Sequence, residues 1–181
     1  MPASILVTYA SSYGSTQEVA EAVAATLRER GLQVDLQPMR AVRKLEGYKA
    51  IVLGIALYMF RFHKDARRFL SRHREALAER PVALFAMGPF NNVEKEWQGV
   101  RETVDKELAK VPWLAPAAQA LFGGKFDPAK LRFPYNLIPA LRNLPACDIR
   151  DWTAIRAWAN DLVAKLQPAT SQSSTPAQAI S

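Results

Sequence analysis

The stretch Ser4–Gly31, SILVTYASSYGSTQEVAEAVAATLRERG, decides the fold. It begins with an apolar run, Ile5-Leu6-Val7, which is typical of a buried strand. After a turn rich in hydroxyl groups, Val19, Val23 and Leu27 recur at helical spacing, and the final glycine is a natural helix stop. The stretch therefore predicts a strand, a turn and a helix in that order.

The turn between this strand and this helix has the chemistry of a phosphate site. The first amides of a helix lack internal partners and lie at the positive end of the helix dipole, so an anion is stabilised there. Gly14 permits close backbone approach, and the turn contains no Lys, no Arg and neither of the common glycine-rich nucleotide motifs. A single phosphate monoester, such as that of FMN, is the expected ligand. Its expected contacts are Ser11, Ser12, Tyr13, Gly14, Ser15 and Thr16.

A purely structural interpretation of the same turn stays open. Ser15 and Glu18 have the spacing of a Ser-x-x-Glu capping box, which begins a helix in any protein. The position of the turn, directly after the first strand of an alternating strand–helix pattern, favours the phosphate interpretation.

Length and composition indicate one globular unit. The 181 residues are 49% apolar, and a domain is expected over residues 1–166, followed by a disordered Pro-, Ser- and Gln-rich tail at 167–181. One cysteine, Cys147, leaves no internal disulfide, and with only two histidines no metal site is expected. Met1–Ser4 leads into a strand without a signal peptide, so the cytoplasm is the expected location.

The formal charge of +7 limits the classes of partner. A positive surface favours an anionic lipid surface, an anionic substrate or nucleic acid. No nucleic-acid motif accompanies the charge, so nucleic acid is not an expected partner. No apolar run approaches the roughly 18 residues of a membrane span.

The rest of the chain continues the alternation of strands and helices. Further strands are predicted at Gln33–Leu36, Ala50–Gly54, Pro81–Met87 and Gln119–Phe122, and further helices at Lys64–Glu79, Glu94–Lys110 and Asp151–Leu166. This pattern predicts an α/β fold: a doubly wound five-stranded parallel sheet of order 2-1-3-4-5 with helices on both faces. Ligands of such sheets bind where the strand order reverses, between the first and third strands.

Two further loops are expected to meet the turn around one ligand. The loop Ile55–His63 is dense in aromatic side chains that can stack on a flavin ring, although plain core packing is the alternative. The turn after the fourth strand can reach the polar edge of the ring. The expected cofactor contacts in these loops are Ala56, Leu57, Tyr58, Met59, Phe60, Met87, Gly88, Phe90 and Asn91.

Two histidines follow the aromatic loop. His63 is either a proton donor near the flavin or a polar residue that begins the next helix, and the second interpretation is favoured. It is the one candidate for a catalytic role, and otherwise the catalytic residues are unknown. His73 is expected to be solvated on a basic helix face.

The turn resembles the phosphate loop of the flavodoxin-like FMN proteins, roughly [ST]-x-[ST]-x-G-x-T, with Ser11, Gly14 and Thr16 matching. Over residues 4–166 the chain resembles the branch that includes menaquinone-dependent protoporphyrinogen IX dehydrogenase. That resemblance is carried by YKAIVLG (48–54), the aromatic loop ending in His63, and LFGGKFDP (121–128). It implies a flavoprotein in which FMN oxidises a porphyrinogen and passes electrons to a quinone. Family members often have Arg in place of Tyr58 and Gly in place of Phe60, so the substrate stays open.

Three functions remain after this comparison of patterns. The first is an FMN-dependent oxidoreductase with quinone or another redox partner and an anionic porphyrinogen as substrate. The second is a flavodoxin-type electron carrier, and the third is a flavin-binding module without catalysis. The mixed aromatic and basic segment Leu131–Leu144 is expected either to lie on an anionic membrane surface, which would make the protein peripheral, or to pack on the sheet edge. Relatives often associate, so a homo-oligomer is a further expectation.

Overall fold

Five parallel strands form the central sheet in a computed structural model that describes residues 4–166. The tail predicted at 167–181 lies outside the described residues. The strands are β1 (Ile5–Ala10), β2 (Val34–Pro38), β3 (Ala50–Tyr58), β4 (Arg61–Phe62), β5 (Val82–Met87), β6 (Ala118–Phe122), β7 (Lys125–Phe126) and β8 (Cys147–Asp148). The α-helices are α1 (Ser15–Glu29), α2 (Lys64–Arg72), α3 (Arg74–Ala78), α4 (Glu94–Ala109), α5 (Pro139–Arg142) and α6 (Trp152–Leu166).

The order of the long strands confirms the predicted topology. The sheet runs β2-β1-β3-β5-β6, which is the order 2-1-3-4-5 when the two-residue β4 is set aside. All four neighbouring pairs are parallel. β4 instead pairs antiparallel with the end of β3, and β7 and β8 form a separate two-stranded sheet.

The helices cover both faces of the sheet. On one face, α1 and α6 bury Val23, Leu27, Ile155 and Leu162 against alternate residues of the strands. On the other face, α2, α3 and α4 pack over the remaining strand residues, with Phe69 contributing the largest side chain. Each fully buried aliphatic or aromatic side chain contributes about 1.5–3 kcal/mol.

Gly54 lies in the middle of β3 because a side chain there has no space. A Cβ on Gly54 would lie 2.4 Å from the Phe85 ring. That ring is fully buried and packs against Phe122 and Trp158, with centroids at 5.8 and 5.9 Å. The glycine therefore marks a close approach inside the strand.

Three expectations are corrected by this fold. The strand predicted to end at Gly54 continues to Tyr58, and most of the expected loop Ile55–His63 is strand. The helix predicted over Lys64–Glu79 is divided at His73 into α2 and α3. His73 itself is buried against Phe69 at a ring separation of 4.7 Å, so the expectation of a solvated side chain is wrong.

Within the described residues, no helix is both long and apolar enough to cross a membrane.

Candidate functional site

The turn from Ser11 to Thr16 connects β1 to α1 with an unusual backbone. Gly14 is the N-cap of α1 and has a φ of 88°, a left-handed conformation that favours glycine. The Ser11 Oγ accepts the Gly14 N–H at 3.0 Å, which fixes the curvature of the turn. A Cβ on Gly14 would meet no atom within 4 Å among residues 4–166, so the glycine is required by its φ rather than by crowding.

The capping box considered for this turn does not form. Ser15 is the first helical residue rather than the N-cap, and α1 has no side-chain cap within the described chain. The Glu18 carboxylate instead accepts from the Arg150 guanidinium, which also bonds Asp148. The amides at the start of α1 therefore keep their capacity to bind an anion.

Thr16 provides an orphaned polar atom in the first turn of the helix. The residue is fully buried, and its hydroxyl has no hydrogen-bond partner among the described residues. A buried hydroxyl without a partner costs roughly 1–3 kcal/mol. Thr8 in β1 has the same status, and Thr16 differs from it in lying beside the free amides at the start of α1, where an anion is stabilised. The donor set of hydroxyls and amides, without Lys or Arg in the turn, fits a phosphate dianion.

A hairpin of β3 and β4 forms the second part of the site. Tyr58 pairs with Arg61, and the two-residue tip between them is Met59-Phe60, with φ values of 49° and 59°. Both tip side chains project into solvent, with exposures of 70% and 84%. A large flat ligand beside this tip would find apolar surface already presented.

The third loop follows β5. Met87 is buried in the core, so only its backbone reaches the edge of the sheet, whereas Phe90 is 51% exposed. The Phe90 ring packs on Phe126 with centroids at 5.4 Å, and a Cβ on Gly124 would lie 2.9 Å from it. The Asn91 side-chain oxygen accepts the Val93 N–H, and thereby forms a turn ahead of α4.

The three loops begin side by side at the carboxyl edge of the sheet. Ala10, the last residue of β1, pairs with Ile55 of β3. Ala56 pairs with Met87, the last residue of β5. Because strand order reverses between β1 and β3, this edge is the position at which doubly wound sheets bind ligands.

A segment that sequence reasoning did not assign to the site contacts two of these loops. Tyr135 packs edge-on against Tyr58 with ring centroids at 5.5 Å, and the Arg132 guanidinium lies 6.0 Å from the centre of the Tyr13 ring. Burial, together with the hydrogen bond to Tyr135, raises the pKa of Tyr58. The mixture of aromatic residues, aliphatic residues and two arginines over 131–144 singled this segment out in the sequence but did not fix its position.

Residues 131–144 themselves are irregular. They contain a 3₁₀ turn at Tyr135–Leu137 and the four-residue α5. Phe133 and Leu137 are 77% and 62% exposed, so this segment buries little of its own apolar surface.

Glu107 supports the hairpin from α4. It is buried, and its Oε2 accepts the Phe62 N–H at 3.2 Å while its Oε1 pairs with Lys110. Burial alone would raise the pKa of Glu107, but the bonds from Lys110 and Phe62 outweigh it and hold the pKa below the ordinary value.

His63 lies between the hairpin and α2 and is 6% exposed. Its Nδ1 accepts the Asp65 N–H, which makes it the N-cap of α2, and its Nε2 lies 2.8 Å from the Ser12 Oγ. Within residues 4–166, no three side chains of the metal-ligating types are grouped.

Taken together, the three loops at the carboxyl edge of the sheet combine anion-binding groups with exposed aromatic rings. This combination suits a phosphorylated flat ligand.

Comparison with known proteins shows which proteins this chain resembles. The flavodoxin domain family matches residues 6–137. Protoporphyrinogen IX dehydrogenase (quinone) of Escherichia coli strain K12 is 25% identical over 84 residues, 45% of this chain and 46% of the relative. The chain thus aligns with about half the length of the curated relatives it matches, and the resemblance inferred from the sequence is confirmed as a distant one.

Solved structures extend the comparison to the whole fold. Oxidised flavodoxin 1 from Bacillus cereus superposes with a TM-score of 0.60 and 16% identity, covering 90% of this chain and 99% of that one. The flavodoxin of Streptococcus pneumoniae TIGR4 superposes with a TM-score of 0.55 and 17% identity, covering 89% and 98%. Identities this low establish a shared fold, and it is the match over residues 6–137 that carries the assignment: the chain belongs to the flavodoxin domain family.

Proposed function

We propose that the protein is an FMN-dependent oxidoreductase that removes electrons from a reduced substrate and passes them to a quinone. The main observation in support of this cofactor is the buried Thr16 hydroxyl, which has no partner among residues 4–166 and lies in the first turn of α1. FMN supplies the redox chemistry when bound. The family assignment and the exposed aromatic rings at the same edge support this choice of ligand.

The residues of the site then divide among three tasks. Ser11, Ser12 and Thr16, together with the first amides of α1, hold the phosphate. Tyr58, Phe60 and Phe90 shield the ring faces from water, each aromatic contact adding about 0.5–1.5 kcal/mol beyond burial. The backbone of Met87, Gly88 and Asn91 borders the polar edge of the ring. The full set of cofactor contacts proposed for this chain includes these residues and their neighbours in the three loops: Ser11, Ser12, Tyr13, Gly14, Ser15, Thr16, Ala56, Leu57, Tyr58, Met59, Phe60, Met87, Gly88, Phe90 and Asn91.

The chain offers a matched pair of threonines to test the phosphate site. Thr16 and Thr8 are both fully buried, and both hydroxyls lack partners within the described part of the chain, but Thr8 lies within β1. We expect Thr16→Val to weaken FMN binding roughly tenfold or more, because one phosphate donor is lost. Riboflavin, which has no phosphate, should bind Thr16→Val as it binds the wild type.

Titration calorimetry with both flavins measures this difference, and Thr8→Val is the control with the same loss of a hydroxyl. Equal weakening of FMN and riboflavin by Thr16→Val would contradict a phosphate at Thr16. So would FMN binding that Thr16→Val leaves unchanged.

A porphyrinogen with a quinone acceptor is the proposed substrate pair. The distant similarity to the Escherichia coli dehydrogenase supports it, as does the exposed guanidinium of Arg132 beside the loops, which would attract carboxylates. Anaerobic incubation with protoporphyrinogen IX and a menaquinone analogue, followed by porphyrin fluorescence, tests the reaction. FMN-loaded protein without turnover would instead identify an electron carrier without its own substrate.

A membrane surface is the proposed site of this reaction, because quinones are membrane-soluble. Four exposed apolar residues belong to the hairpin tip and to the segment 131–144: Met59, Phe60, Phe133 and Leu137. Along the chain, the hairpin is followed directly by a run of cations. That run is the basic face of α2, defined as Lys64, Arg67, Arg68 and Arg72, all exposed. Apolar tips beside cations suit an anionic bilayer surface without a spanning segment.

A further inference from the structure

His63 occupies a junction of three elements. Its backbone N–H donates to the Ala56 carbonyl at 3.0 Å, which ties it to β3. Its ring caps α2 through Asp65, and the same ring contacts Ser12 in the turn between β1 and α1. A displacement of the hairpin therefore moves a group that is bonded to the phosphate loop.

The hydrogen bonds fix which nitrogen carries the proton. The Asp65 backbone amide can only donate, so Nδ1 of His63 is the acceptor and is unprotonated. The neutral ring then has its hydrogen on Nε2 and donates it to the Ser12 Oγ, 2.8 Å away. Because the Ser12 oxygen accepts from the ring, the hydroxyl hydrogen of Ser12 remains available to an anion in the turn.

The surroundings of the ring keep it neutral. Burial lowers the pKa of His63, the Asp65 carboxylate opposes this, and the charges of Lys64 and Arg67 act with burial. The Asp65 carboxylate lies 3.9 Å from Nδ1, and the uncharged Ser12 Oγ lies 2.8 Å from Nε2. A ring that gained a proton on Nδ1 would lose its bond to the Asp65 amide.

We propose that His63 is a positioning residue that couples the phosphate loop to the flavin-facing hairpin by orienting the Ser12 hydroxyl toward the ligand. The proposal rests on the proposed function, since the ligand is taken to be FMN. It differs from a role as proton donor to the flavin, because the one hydrogen of the neutral ring is already donated to Ser12. It also differs from a cap of α2 alone, which uses only Nδ1.

Two substitutions separate the two nitrogens. In His63→Asn the side-chain oxygen can replace Nδ1 as the cap, but the shorter side chain does not reach Ser12. In His63→Gln the side-chain amide can replace Nε2 as donor to Ser12, while the cap is weakened. We expect His63→Asn to weaken FMN about tenfold and riboflavin less than twofold, with the urea midpoint of the flavin-free protein unchanged. We expect His63→Gln to keep FMN affinity within about threefold of wild type and to lower the urea midpoint.

Ser12→Ala completes a double-mutant cycle with His63→Asn. If His63 acts through Ser12, the double variant should bind FMN no more weakly than the weaker of the two single variants. Additive losses would overturn the proposal. So would FMN affinity that His63→Asn leaves intact, or equal losses for FMN and riboflavin.

A nitrogen-15 NMR spectrum gives a readout that is independent of flavin. The chain has two histidines, so the spectrum is simple, and the signals missing in His63→Asn assign the ring. We expect protonated Nε2 and unprotonated Nδ1 near neutral pH, with the Nε2 signal shifted in Ser12→Ala. The opposite tautomer would overturn the proposal. A wild-type chain that binds neither flavin would overturn the proposed function as well, whereas tight wild-type binding with an unaffected His63→Asn overturns only the role of His63.

Discussion

Glu107 is a buried carboxylate whose charge the fold uses. Its bonds to Lys110 and to the Phe62 amide lower its pKa, so the carboxylate stays ionised at pH values somewhat below the ordinary pKa of 4.5. A carboxyl whose pKa is lowered on folding stabilises the native state above its ordinary pKa. That contribution is lost as the pH falls through the lower, folded value.

We expect Glu107→Gln to reduce the free energy of unfolding by about 1 kcal/mol at pH 7, because a charge-assisted bond becomes a neutral one. The difference from wild type should shrink as the pH is lowered from 7 to 3. Urea unfolding across this range measures it, and Glu102→Gln, an exposed residue of the same helix, is the control. A loss that stays constant with pH would contradict the role of the charge.

His73 illustrates what single residues reveal before a structure is known. Its neighbours Arg72 and Arg74 led to the prediction of a solvated ring, yet it follows Phe69 by four residues and so shares its helix face. The spacing was a better guide than the adjacent charges. Thr16 is the opposite case: the motif predicted its importance, but only the structure reveals that its hydroxyl is buried without a partner among residues 4–166.

At the scale of elements, the β3–β4 hairpin was missed for two physical reasons. Gly54 resembled the end of a strand, although its place is explained by the Phe85 ring that packs against it. The tip Met59-Phe60 lacks the Asn-Gly or Asp-Gly pair that signals a tight hairpin. The regular helices α4 and α6 were predicted to within one residue because their apolar spacing is regular.

The tip of this hairpin carries backbone strain. A non-glycine residue in the left-handed region costs roughly 1–2 kcal/mol, and Met59 and Phe60 are both there. We expect replacement of the pair by Asn-Gly to raise the free energy of unfolding of the flavin-free protein by about 1–2 kcal/mol. The same change should weaken FMN binding, because the Phe60 ring is removed.

Urea unfolding and flavin titration measure the two effects of the tip. The double variant Met59→Ala/Phe60→Ala is the control, since it removes both side chains and keeps the left-handed backbone of non-glycine residues. If Asn-Gly is no more stable than Ala-Ala, the tip is not strained.

At the scale of the whole molecule, the composition established a net positive charge, and the fold shows where the positive side chains lie. The basic face of α2 begins directly after the hairpin, whereas α6 lies on the opposite face of the sheet. The topology followed from the alternation of strands and helices. The contacts of Tyr135 and Arg132 with the loops could not be predicted, because an irregular segment carries no periodicity that fixes its position.

This distribution predicts where a membrane would bind. We expect the protein to sediment with anionic vesicles at low salt and to be released as salt is added, because each cation near such a surface contributes about 1 kcal/mol. Arg68→Glu/Arg72→Glu should abolish sedimentation. Arg156→Glu/Lys165→Glu, which changes the net charge equally on α6, should not. Protein that stays in the supernatant with anionic vesicles would contradict the membrane proposal.

The hydrogen bond from the Phe62 backbone N–H to Glu107 of α4 affects which mutations a genetic screen would find. A random mutagenesis screen for inactive alleles would recover substitutions in this helix together with those in the three loops. The resulting map would outline a patch larger than any ligand footprint. Alleles in α4 should then be suppressible by second-site changes that stiffen the hairpin, whereas alleles of Thr16 should not.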